Sequence, residues 1–484
     1  MKEKKIHTAL SALNTNELAS FKKYVNSPYF NVNTSLIQFL DLLILCHKQE
    51  EENLPENHFF WEKIFPQKPY DDTRFRKLSS DLYKLFEDFL AQQTYEEDIN
   101  LKTTLKFKSF YAKKIEKLYN SLITHSENTK RIDNNRNADH FLNQFNIEKN
   151  KMLFKLALDR NKKSKDLISK LNLEEISFNL DTFYIAEKLK YYCEYLSWSI
   201  SYNLDKKLTG IDIILKLAKM PQFSTHPPVA IYYTISQTIL DGDNQNHYFE
   251  LIGLIDEYIH YFPPFEARQI LTQAISYCVV KVNKGIASFQ EEALKLYKKG
   301  LLEDLMVIDN ELSTIDFRNI AIFAIRCKEY QWAENFIHEY QKYLPEDQRD
   351  TNVKFSLARL YSNMSKYDRV IELLRDINYG NEVLLNLNAR SMMVAAYYEL
   401  DEFDALDYFL QSFKAYVDRE KSLNKNRKSE YLKFIKYVKN FIKIFPNEKE
   451  KLQKLYDTIR EEPFVGNKPW LLEKINAMLQ KKGR

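Results

Sequence analysis

The sequence predicts an all-α fold of stacked antiparallel helix pairs preceded by an N-terminal helical unit, and three observations carry this. Glycine occurs 8 times in 484 residues, against about 7% of an average chain. Glycine supplies the positive-φ corners of tight hairpins, bulges and phosphate-cradling loops, so a sheet-rich fold is disfavoured. Apolar residues recur at three- and four-residue spacing along most of the chain, which marks helices with one buried face. In the second half an aromatic residue returns every 36 to 41 positions, a period that fits a repeated helix pair. The 32 Phe and 32 Tyr are middling helix formers, so their number points to packing.

The elements follow in order. Asn14 with Glu17 three residues later forms a capping box that opens a helix through Phe21, Tyr24 and Val25. Ser27-Pro28-Tyr29-Phe30-Asn31 breaks it, and Asn33 or Thr34 caps the next helix, whose apolar face is Leu36, Phe39, Leu40 and Leu43. A loop with Trp61, Phe65, Pro66 and Pro69 follows. Asp71-Asp72-Thr73 then caps a helix carrying Phe75, Leu78, Leu82, Leu85, Phe86 and Phe89. From there to Pro221 no proline intervenes, and helical patterns run through 95–125, 136–160 and 174–201. Four segments result: an N-terminal unit at 1–93, a long-helix region at 94–227, repeats at 228–418, and a basic helix with a capping helix at 419–484. In the last, Asn467 starts a helix with Pro469 in its first turn, docked by Trp470, Leu471 and Ile475.

In the repeats, Tyr248, Phe289, Tyr330, Tyr367 and Phe403 each open the second helix of a pair. The units resemble tetratricopeptide repeats, whose period is about 34 residues. Phe317, Ile320, Ala321, Ala333 and Ile337 take the family's core positions in one unit, with Pro345 as its closing proline. Leu357, Ala358, Tyr361, Val370 and Leu374 take them in the next, and Met393, Val394, Tyr397, Leu406 and Leu410 in the third. The family's first-helix glycine is replaced by Ala321, Ala358 and Val394, and its tryptophan by Phe317, Lys354 and Arg390. The resemblance covers roughly 228–418 and implies a right-handed α-solenoid in which neighbouring pairs bury one another's faces. The Ser-Pro-Tyr-Phe-Asn element is similar to one near the N-terminus of uncharacterised bacterial helical-repeat proteins, a likeness that implies no activity.

Net charge is +4 from 71 basic and 67 acidic residues, which disfavours a wholesale polyanion binder. The charge is segregated, however. Residues 102–117 hold six basic and one acidic side chain, 149–170 eight and two, and 421–443 eight and one. Cys46, Cys193, Cys278 and Cys327 lie in apolar helical contexts far apart, the pattern of buried free thiols in a reducing compartment. The N-terminus lacks the apolar stretch of a signal peptide, and the best hydrophobic run, Leu36 to Cys46, falls short of a membrane span. A cytoplasmic location without a membrane span is expected.

Enzyme motifs are missing: no Gly-rich phosphate loop, no Gly-x-Ser-x-Gly, no His-Glu-x-x-His and no Cys-x-x-Cys. No catalytic residue, metal ligand or cofactor is expected. Asp241-Gly242-Asp243 begins like a calcium loop, but Asn246 and Ile252 stand where it needs glycine and glutamate, so it reads as a turn. His226-Pro227-Pro228 reads as a loop before a helix.

Two surfaces remain, and both point to a binding protein. The resemblance places groove positions on Arg318, Ile322 and Arg326, on Asn352, Phe355, Arg359 and Asn363, and on Asn388, Ser391 and Tyr398. Arginines, asparagines and aromatics on one face suit an acidic or extended peptide. Ile322 and Ser356 stand where the carboxylate clamp of chaperone-tail binders needs asparagine, so that partner is not expected. The second surface is a lysine stripe, Lys433, Lys436, Lys439 and Lys443, fed by Lys421, Lys425, Arg427 and Lys428. Such a stripe suits a phosphate backbone, extended by the Lys102–Lys117 helix and by Arg160, Lys162, Lys163 and Lys165. A non-enzymatic scaffold for a protein or peptide partner is therefore expected first, and a nucleic-acid-associated protein second.

Overall fold

The computed structural model describes residues 5–48, 55–132, 135–158, 171–202, 204, 208–377, 379–380 and 382–480. Among these residues there are 24 α-helices and no strand. They form two compact units, one of residues 1–134 and 138–184, the other of 135–137 and 185–484.

The first unit holds α1 (Lys5–Ser11), α2 (Thr15–Asn26), α3 (Thr34–Lys48), α4 (Asn57–Ile64), α5 (Asp72–Glu97), α6 (Ile99–Lys113), α7 (Glu116–Ile132) and α8 (Ala138–Leu158). The expected caps are in place. Asn14 Oδ1 accepts the amides of Asn16 and Glu17 while the Glu17 carboxylate accepts the Asn14 amide. Asn33 accepts the Ser35 amide and Asp71 the Arg74 amide. Helices α1 to α5 close on an aromatic core in which Phe39 lies 5.3 Å from Phe75 and Phe21 lies 5.5 Å from Phe86.

The stretch 95–125, expected to be helical, is helical but divided twice. Asp98 caps α6 by accepting the Leu101 amide, and Lys114 adopts a left-handed φ of 57° that ends it. Helices α6, α7 and α8 then meet around Phe107, Tyr119 and Phe154, with Tyr119 stacked on Phe154 at 3.5 Å.

Helix α9 (Leu173–Tyr202) runs through the boundary between the units. The second unit continues with α10 (Ile211–Ala218), α11 (Pro221–Ser224), α12 (Pro227–Leu240), α13 (Asn246–Tyr258), α14 (Pro264–Asn283), α15 (Phe289–Leu302), α16 (Thr314–Arg326) and α17 (Tyr330–Tyr340). It ends with α18 (Glu346–Asn363), α19 (Tyr367–Leu374), α20 (Val383–Glu399), α21 (Phe403–Arg419), α22 (Lys425–Phe441), α23 (Lys449–Glu461) and α24 (Lys468–Gln480). From α10 onward consecutive helices pack as neighbours, and the first helices of successive pairs also pack, α16 on α18 and α18 on α20. Phe289, Tyr330, Tyr367 and Phe403 each begin the second helix of a pair, and Tyr248 lies in the first turn of its helix. His226 is the N-cap of α12, and Asp241–Gln245 is the turn between α12 and α13.

The chain ends as a packed stack. Leu471 and Ile475 of α24 are fully buried beside Phe434, Val438 and Phe441 of α22. Trp470 donates its indole N–H to Glu399 at 3.1 Å, and Lys474 pairs with the same carboxylate at 2.7 Å. No described helix is long and apolar enough to cross a membrane.

Candidate functional site

Because α16, α18 and α20 lie side by side, residues three and four apart on each helix face a common space. That space is a cleft of about 490 Å³, within the range of ligand sites. Helix α16 contributes Ile315, Arg318, Asn319 and Ile322, helix α18 Phe355 and Arg359, and helix α20 Leu384, Leu385 and Asn388. Glu382, the N-cap of α20, and Ser422 complete the rim.

The two arginines of the cleft differ in kind. Arg318 is matched: its Nη1 lies 3.1 Å from the Glu382 carboxylate and 2.5 Å from Asn352 Oδ1. Asn352 is 0% exposed and anchors back into α18 through the Gln348 carbonyl, so it holds Arg318 from beneath. Arg359 has no carboxylate within ion-pair distance among the described residues. Its guanidinium sits over the Phe355 ring at 5.8 Å, a cation–π contact that offsets part of its lost hydration. Burial, and then the nearby Arg326 guanidinium, push its pKa down to about 10, which still leaves it charged at neutral pH.

Part of the cleft mouth is apolar. Ile315 and Leu384 are 60% and 53% exposed there. Asn388 takes the Tyr431 hydroxyl on its Oδ1 at 3.3 Å, so its amide N–H groups remain as donors.

Of the residues expected on the groove, Arg318, Ile322, Phe355, Arg359 and Asn388 converge on the cleft. Arg326 is exposed one turn beyond Ile322, its charge near enough to act on Arg359. Asn363 lies exposed at the end of α18, bonded to the Arg359 carbonyl. Ser391 is buried and donates to the Leu387 carbonyl. Tyr398 is turned into the C-terminal core, 5.4 Å from Phe441 and 5.5 Å from Trp470. Ile315, Glu382 and Leu384 were not singled out by the sequence. Their exposure depends on how the three helices stack, which the sequence does not display.

The lysine stripe is partly neutralised. Lys433 pairs with Glu462 at 2.5 Å, Arg427 with Glu430 at 3.0 Å, and Lys428 donates to the Asp418 carbonyl at 2.7 Å. Lys425 and Lys436 are exposed and Lys439 is half-buried, whereas Lys443 lies past the end of α22, in the following turn. Lys102, at the start of the other basic helix, pairs with Glu96. Arg160, Lys162, Lys163 and Lys165 lie outside the described residues.

Two further cavities also hold ion pairs. In the first unit, Lys151 pairs with Glu148 at 2.9 Å. Between α12 and α14, Lys281 and Lys284 share Asp243 at 3.5 and 3.1 Å. Three cysteines, Cys46, Cys193 and Cys278, are buried and Cys327 is half-buried. Comparison with protein-family models, curated proteins and solved structures finds no match to this chain.

Proposed function

We propose that the protein is a non-enzymatic interaction scaffold, a right-handed solenoid of tetratricopeptide-like helix pairs whose α16–α18–α20 cleft receives an extended segment of a protein partner. The observation that carries this is Arg359: a desolvated cation kept in a cleft wall with no carboxylate at ion-pair distance among the described residues, beside the exposed Ile315 and Leu384. Such a charge costs folding free energy unless something pairs with it, and a partner segment supplies the pair. Three helix faces and donor side chains such as Asn388 suit a segment bound through its backbone and alternate side chains.

Affinity capture of the tagged protein from its native cells, with and without nuclease, tests the proposal. A defined protein partner should survive nuclease and be lost from the Arg326→Glu/Arg359→Glu variant, with circular dichroism unchanged. Arg318 is left intact in that variant because it is tied to Asn352 and Glu382. Undiminished capture by the variant would rule out the cleft. Loss of every protein on nuclease treatment would make the exposed lysines of α22 the working surface instead.

A further inference from the structure

We infer that the cleft reads a side-chain carboxylate flanked by aliphatic residues, the carboxylate seating on Arg359, while Glu382 of this chain occupies Arg318 as a built-in stand-in for a second acid. The inference rests on the cleft being the docking surface and adds the chemistry of what docks there.

Charge complementarity is the first support. The cleft wall offers two guanidinium groups, and one of them is already answered by a carboxylate from its own rim, Glu382 at 3.1 Å from Arg318. That internal pair shows the contact an incoming acid would make with the other: an arginine presents a fork of N–H donors suited to a carboxylate. Arg359 is preorganised for it. The Phe355 ring centre lies 5.8 Å from the guanidinium carbon, and the neighbouring charge of Arg326 raises the cost of leaving Arg359 unpaired. The same two cations repel a basic segment, which is how a site rejects wrong partners.

Apolar contact is the second support. Ile315 at the start of α16 and Leu384 at the start of α20 stand at the mouth with most of their side chains in water, and half-buried Val383 continues the rim on the α20 side. A ligand that was only an anion would leave this rim uncovered. An extended peptide with aliphatic residues beside its acid covers the rim and pairs Arg359 at once. Asn388 Nδ2 then stands as a donor for a peptide carbonyl.

The test uses the full-length protein and a phage-displayed library of random decapeptides fused at their C-termini, so that no peptide carries a free terminal carboxylate. The selected peptides should share an Asp or Glu flanked by Leu, Ile or Val. Replacing that acid by its amide should weaken binding about tenfold, the loss of one charge-assisted contact, as read by fluorescence anisotropy. Arg359→Met should weaken it equally while keeping or raising the melting temperature, because an unpaired cation is replaced by a chain of similar length. Glu382→Gln should tighten peptides that carry a second acid by freeing Arg318. If Leu384→Asp abolishes binding but Arg359→Met does not, the cleft is the docking surface and the carboxylate assignment is wrong. If binding survives both variants, or if no peptide is enriched, the cleft reading itself falls. An Arg359→Met protein that fails to fold would make Arg359 a structural residue and overturn the inference.

Discussion

The side chains that matter most singly are those whose charges are buried, and Glu266 is the clearest in the second unit. It is 5% exposed on the first turn of α14, and its carboxylate accepts from the Tyr232 hydroxyl at 2.7 Å and from Asn137 Nδ2 at 2.9 Å while pairing with Lys190 at 3.2 Å. Those partners come from α12, from the short 135–137 segment and from α9, so one carboxylate joins four parts of the unit. Glu266→Ala strands the buried Tyr232 hydroxyl and the Lys190 charge, and is expected to cost about 3 kcal/mol. Glu266→Gln should cost less, because the amide oxygen still accepts from Tyr232. Urea denaturation of the three proteins measures both, and a loss below about 1 kcal/mol for the alanine variant would refute the bridging role. Nothing in the sequence marked this glutamate among 67 acidic residues, because its burial depends on Asn137, 129 positions earlier. The cleft was more legible. Phe355 and Arg359 are four residues apart, about 40° on a helix, so their shared face could be read from spacing. Tyr398 is ten residues beyond Asn388, about 80° away by the same rule, and that rotation carries it to the C-terminal core.

At the scale of the element, glycine scarcity has a consequence for how the helices end. The first helix of three successive pairs closes on a left-handed residue that is not glycine: Lys328 at φ 60°, Ser365 at 58° and Asp401 at 57°. Each makes the paired closure of a Schellman motif. The Lys328 amide donates to the Ile325 carbonyl and the Glu329 amide to Ala324, and the same pattern recurs at Ser365–Lys366 and Asp401–Glu402. An L-residue with a Cβ pays roughly 1–2 kcal/mol in that conformation, whereas glycine enters it freely at some cost in unfolded-state entropy. Lys328→Gly and Ser365→Gly are therefore expected to stabilise the protein by about 0.5–1 kcal/mol each. Asp401→Gly should gain less, because aspartate tolerates the left-handed region. Thermal unfolding followed by circular dichroism would reveal a lowered melting temperature if the lysine and serine side chains hold contacts that outweigh the strain. The low glycine count correctly pointed away from sheets. It could not show where helices end, because a lysine or serine at such a corner looks like any other; the division at Lys114 was missed for the same reason. The capping box at Asn14 was readable because donor and acceptor lie within one turn.

From α16 onward contacts follow sequence order: each helix packs on the next, and first helices pack on first helices. The pairing was visible in the aromatic period because it is a local property. The division between the two units was not, since it falls inside the continuous helix α9 and no linker composition marks it. A stack held by neighbour contacts has a stability close to the sum of its pairs and their interfaces, and this predicts how damage spreads. Leu471 and Ile475 are fully buried where α24 covers α22 and α23. Burying one such side chain contributes about 1.5–3 kcal/mol, so Leu471→Asp/Ile475→Asp should detach α24. Native-state hydrogen exchange should then show protection falling steeply in α22 and α23, less in α20 and α21, and not at all in α12 to α15. That gradient is what a quasi-one-dimensional array requires, because among the described residues α24 packs chiefly on α22 and α23, and its loss reaches α12 to α15 through the helices between. Protection lost evenly from α12 to α23 would instead mark a single cooperative core, and the solenoid reading, together with a cleft formed by three stacked helix faces, would have to be abandoned.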